Sequence, residues 1–161
     1  MEKRTRVYAA AIAAGAVTGL RSMAGPAIVS RSLAAGMMGS MQQTRPHWFG
    51  TKRTAKTLAA LAVGELIADK LPFMPDRTNT GPLIGRFLGG AICGAAICMA
   101  NEESPWLGIL AGGLAATAAS FAGHKIREVA AEHGKSDMAV ALMEDTVAIA
   151  GGLSALATLR A

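Results

Sequence analysis

At 161 residues the chain is the length of one domain, residues 1–161, and only 17% of it is charged against 52% hydrophobic, with a mean hydropathy of +0.35. Aromatics are 4% while glycine supplies 19 residues, so the large groups that fill a soluble core are scarce and small ones that let membrane helices approach are plentiful. The net charge of +5 lies between apolar runs rather than with aromatics on one polar face, which argues against a nucleic-acid partner and for anionic lipid headgroups.

The basic start MEKRTR leads into an apolar run, 7–20, with Ala11, Gly15 and Gly19 at four-residue spacing. A signal peptide has the same outline, but the run ends in GLRSMAGP and no soluble mature domain follows, so it reads as a first membrane helix. Gly25-Pro26 breaks it, because glycine turns the chain and proline suits the first turn of a new helix. Residues 27–42 are too polar for a comfortable crossing and read as a short re-entrant or interfacial helix. Trp48 and Phe49 then sit in a basic loop suited to the headgroup layer.

Residues 54–71 form the second expected crossing. They carry Glu65 and Asp69, four apart and so on one helix face. Gly81-Pro82 opens a third, to about residue 100, with Arg86 one turn in and Gly85, Gly89, Gly90 and Gly94 as a packing face that leaves room for a homodimer. NEESPW is a tight acidic turn into a fourth helix, 107–123, which emerges into an amphipathic, water-exposed stretch, 124–137. The last helix, 138–159, carries Glu144 and Asp145. These two are about 100° apart on a helix, so only one need face the bundle, and Glu144 is the choice because it matches Glu65 in a weak internal repeat. That repeat runs Gly-Pro, arginine, acidic helix (GPAI and GPLI), in an inverted sense. The fold class is therefore all-α: a polytopic bundle of about five spanning helices plus one short one. Orientation favours a cytoplasmic N-terminus, with 124–137 inside and the NEES turn outside.

Unpaired intramembrane carboxylates are costly, so the natural partners of Glu65 and Asp69 are Arg21 and Arg86. Arg21 and Ser22 at the broken helix would also make an anion site, where free N–H groups and the helix dipole add to the guanidinium. The candidate ion- or solute-binding residues are Arg21, Ser22, Glu65, Asp69, Arg86 and Glu144. Cys93 and Cys98, five apart without a nearby histidine, read as inert small hydrophobes. His47, His124 and His133 have no metal-site spacing, and nothing in the sequence calls for a cofactor. No nucleophile elbow, P-loop, dinucleotide fingerprint or HExxH is present, so an enzyme is not expected. A lipid-directed acid–base pair at Glu65 and Asp69 is the one enzymatic reading weighed.

GLRSMAGP, GELIADKLPFMPDRT, GPLIGRFLGGAICGA and LMEDTVAIAGG together resemble a family of small bacterial membrane proteins known as domain of unknown function 4126, over about residues 10–156. The resemblance implies an integral protein of the bacterial inner membrane and brings no activity, substrate or functional residue with it. From the charges, the leading expectation is a small transporter or channel for a small ion or anionic solute. The alternative is a non-transporting scaffold or lipid-interacting protein whose charges are structural.

Overall fold

The computed structural model describes residues 2–37, 47–68, 80–134 and 136–159. Six helices follow one another: α1 (Glu2–Leu20), α2 (Ala24–Ala34), a single 3-10 turn (His47–Gly50), α3 (Lys52–Ala68), α4 (Thr80–Ala100), α5 (Pro105–Glu132) and α6 (Asp137–Ala157). No β-strand occurs among the described residues. Proline lies in the first turns of α4 and α5, where its missing N–H costs nothing. Helix α5 outruns the expected 107–123, because HKIREVAAE holds neither glycine nor proline after Gly123. It ends only at Gly134, which takes a positive φ of 64°.

The core is a trio of helices, α1, α4 and α5, drawn together by small residues. A Cβ on Gly15 would overlap the Gly112 carbonyl, and one on Gly19 the Ala116 carbonyl, so α1 and α5 run parallel. Gly94 meets Gly108 and Gly90 meets Gly112 in the same way, so α4 and α5 are antiparallel. Ser120 on α5 donates to the Gly19 carbonyl at 3.0 Å, tying the α1 end of this contact. Cys93 and Cys98 are free thiols fully buried here, as small hydrophobes would be.

Helix α6 runs antiparallel to α1, with Gly152 beside Val17 and Asp145 on Arg21. Helix α2 folds back along α1. Gly25 makes this possible, since a Cβ there would fall on the Thr18 hydroxyl. At the other end of α2, Gly36 takes a φ of 68° and the Met37 N–H bonds the Ser32 carbonyl at 2.9 Å, closing the helix. Val29, Leu33 and Phe49 then share a buried cluster with Val7, Ala10 and Ala100. Ser30 Oγ also donates to the Phe49 carbonyl at 2.5 Å.

This return corrects the expected sidedness. Because α2 and the 3-10 turn pack back toward the start of α1, the N-terminus and the NEES turn lie at the same end. Arg4 pairs with Glu103 at 3.5 Å and the Tyr8 hydroxyl donates to Glu103 at 3.4 Å. The 124–137 segment is at the opposite end, beside Leu20. Helix α2 is buried against the bundle rather than laid on its surface. Its 11 residues reach about 16 Å, roughly half a hydrocarbon layer.

Among the described residues, three helices are long and apolar enough to cross a membrane: Thr80–Ala100, Pro105–Glu132 and Ala139–Ala157. Helices α1 and α3 fall short of the expected five. Helix α1 opens with EKRTR and is otherwise mostly alanine and glycine, and its neighbours α2, α4, α5 and α6 cover it. A helix enclosed by other helices has no need of large apolar side chains. Outward-facing large apolar side chains lie mostly on α3, α4, α5 and α6, including Leu61, Leu88, Leu114, Phe121, Val147 and Leu153.

Candidate functional site

The site lies where α1 ends, α2 begins and α3 and α6 pass. Residues 21–23 form a tight turn, with Arg21 N bonded to the Val17 carbonyl at 2.8 Å. The turn leaves the N–H groups that precede α2 pointing away from any helix partner, as at every helix start. Helix α2 takes Met23 as its N-cap and no local side chain caps it. Glu65, reaching across from α3, does so instead. Its Oε1 accepts from Ser22 N at 2.8 Å and Ser22 Oγ at 2.7 Å, and its Oε2 accepts from Met23 N at 2.8 Å. A carboxylate with three donors at the positive end of a helix is electrostatically well placed.

The N–H groups at the start of α2, the expected anion site with Arg21 and Ser22, are occupied by the protein's own Glu65. Glu65 forms no ion pair with Arg21 or Arg86 among the described residues, which corrects the expected pairing. Arg21, its side chain 4% exposed, pairs through Nε with Asp145 of α6. Asp145, not Glu144, is thus the acid of α6 that joins this cluster. Glu144 is buried against α5 at Gly123, and its Oε2 accepts from Arg127 Nε at 3.0 Å and Nη2 at 2.6 Å. The two acids that the repeat equates, Glu65 and Glu144, so have unrelated partners. Likewise Gly25-Pro26 opens an 11-residue helix and Gly81-Pro82 a 21-residue one.

Arg86 is buried early in α4. One turn on, Gly89 packs against Thr18 and the Ser22 carbonyl, so Arg86 belongs to the same end of the bundle. Asp69 lies outside the described residues. A cleft of about 250 Å³ opens beside the cluster, with Arg21, Glu65 and Asp145 at one end and Arg31 at the other. Between them its walls are apolar: Ala24, Ala27 and Ile28 from α2, Ala59, Ala62 and Leu66 from α3.

The family described as a domain of unknown function (DUF4126) matches this chain over residues 8–158. The chain belongs to DUF4126. Every residue of the cleft falls inside the match. No curated protein and no solved structure matches the chain. For this DUF4126 protein the cluster can do two things chemically: hold an anion against backbone N–H groups, and exchange one carboxylate for another beside Arg21. Sequence reasoning passed over Asp145, Arg127 and the Met23 amide. Adjacent acids on a helix do not reveal which one meets Arg21, and Arg127 sits in a stretch that reads as a solvated helix end. The Met23 amide had a signal, since a Gly-Pro break always leaves unbonded N–H groups near it.

Proposed function

We propose that this protein is a polytopic protein of the bacterial inner membrane that moves a small ion or anionic solute past the Arg21–Asp145 pair. Helices α1, α3, α4, α5 and α6 make the five long crossings, and the short α2 begins the return of the chain between α1 and α3, which run in the same direction. The N-terminus is cytoplasmic. At that end Lys3, Arg4, Arg6, Lys52, Arg53 and Lys56 stand against Glu2, Glu102 and Glu103, the balance that the positive-inside preference favours.

The observation that carries the proposal is Glu65 seated as an internal anion on the Ser22 and Met23 N–H groups, at the mouth of the cleft. Taking up a proton removes its charge and weakens the three bonds it accepts. Glu65 then leaves the α2 N-terminus, and a solute anion takes its place between those donors and Arg21. Deprotonation on the other side reverses the exchange, so one proton accompanies the anion.

Reconstituted liposomes carrying a pH-sensitive dye test this with chloride, phosphate and acetate gradients. Wild type should move an anion together with protons. Glu65→Gln should move the anion without pH dependence, and Arg21→Gln should move nothing. If folded wild type carries none of these anions, nor sodium or potassium, the transport reading fails. A second reading then stands, a scaffold with structural charges. It draws support from Glu65, Asp145 and Glu144, each of which bonds a partner within the fold.

A further inference from the structure

The seam between α2 and α3 holds a second feature at the end remote from Glu65. Ala24, Ala27, Arg31 and Ala35 recur at helical spacing on one face of α2. Lys52, Lys56, Ala59, Ala62 and Leu66 do the same on α3. Small methyl groups facing each other across the seam leave it unfilled. The 250 Å³ cleft and a second hollow of about 380 Å³ share Arg31 and Ala59, so they adjoin as one groove along both helices.

The two ends of this groove differ in charge balance. At one end Arg21 meets Asp145. At the other, Arg31, Lys52 and Lys56 line the hollow, no acid lines it, and none of the three forms an ion pair among the described residues. Three exposed cations around an otherwise apolar hollow call for a ligand with an anionic head and an apolar body. Along the outer face of α3, Leu61, Val63 and Ile67 are exposed, so the groove borders a surface made for hydrocarbon.

We propose that the α2–α3 groove binds one anionic phospholipid, its phosphate held by Arg31, Lys52 and Lys56 and an acyl chain lying along Ala59 and Ala62 toward Leu66. The site rests on the membrane setting and not on transport. A neutral phospholipid would leave the three cations without a counter-charge. Free phosphate would leave the apolar half of the groove empty.

Native mass spectrometry of the full chain, stripped of lipid in detergent, tests the site. It is titrated with dioleoylphosphatidylglycerol, dioleoylphosphatidylcholine or inorganic phosphate. One phosphatidylglycerol should be retained at least tenfold more tightly than phosphatidylcholine. Lys52→Gln/Lys56→Gln, two exposed positions whose loss leaves the fold intact, should weaken it by roughly tenfold or more. Ala59→Phe should displace the lipid by filling the groove, with helicity checked by circular dichroism. Equal retention of the two lipids overturns the proposal, as does unchanged retention in the double lysine variant. Unchanged retention in folded Ala59→Phe overturns the placement of the acyl chain. Inorganic phosphate competing at equal concentration would identify a free-anion site instead, and a protein dimer that excludes lipid would make the groove an interface between copies.

Discussion

The glycine-knit trio α1–α4–α5 and the α2–α3 flank are both built from small residues, yet they use them in opposite ways. In the trio, glycines face glycines and the backbones close up until there is no room for a methyl group. In the flank, alanines face alanines across a seam that stays open, and Gly64 on α3 has nothing within 4 Å of where its Cβ would be. The trio is therefore held by continuous backbone packing, the arrangement that serves when lipid offers no hydrophobic gain. The flank is held at one end by a single carboxylate on a turn, and among the described residues α3 packs chiefly on α2 and the 3-10 turn. Composition alone does not separate a rigid core from a groove; what faces each small residue does.

That contrast is open to breakage. The largest effect is expected at Gly112, whose position lies against both Gly90 and Gly15. The side chain of Gly112→Leu meets the Gly90 and Gly94 backbone of α4, which cannot give way, so the loss should exceed about 4–5 kcal/mol and abolish folded protein. A monodisperse, helical Gly112→Leu protein in detergent would show that the trio tolerates separation. Next comes Asp145→Asn, which leaves the buried Arg21 guanidinium without its counter-charge from α6. It should cost about 3–5 kcal/mol in detergent unfolding, and wild-type melting would mean that the pair is solvated. In the flank, Glu65→Ala removes the acceptor from three donors and should cost about 2–3 kcal/mol. Glu65→Gln should cost less, because a neutral carbonyl can still accept. The smallest effect carries the opposite sign. Gly64→Ala adds a methyl group to open space within a helix and should stabilise by about 0.5–1 kcal/mol. A thermal-shift series spanning Gly64→Ala and Gly112→Ala, one residue type with opposite outcomes, would sharpen the distinction most.

Much of the architecture was legible in order and kind. The helix breaks at Gly25-Pro26 and Gly81-Pro82, the short helix between the first two long ones and the turn before Pro105 all follow from local backbone chemistry. So do the unbonded N–H groups where α2 begins, because a helix start after a break always exposes them. Three things were not legible. Which acid meets those N–H groups depends on α3 reaching back to residue 22, a contact 43 residues apart along the chain. Which of Glu144 and Asp145 meets Arg21 depends on the rotation of α6. Which end of the bundle holds the NEES turn depends on α2 doubling back along α1.

The sequence by itself determined the helical class, the apolar length of α4, α5 and α6, and the residue types able to pair or cap. Those properties are local, since hydrophobic period, breaker residues and charge content act within a few turns. Only the tertiary structure decided that Glu65 caps α2, that Arg21 pairs with Asp145, that Arg127 takes Glu144, and that the α2–α3 seam stays open. Each is a choice among partners that local chemistry leaves equivalent. Close helix packing resolves it, with Gly15, Gly90 and Gly112 locked together in the trio against which the remaining helices pack.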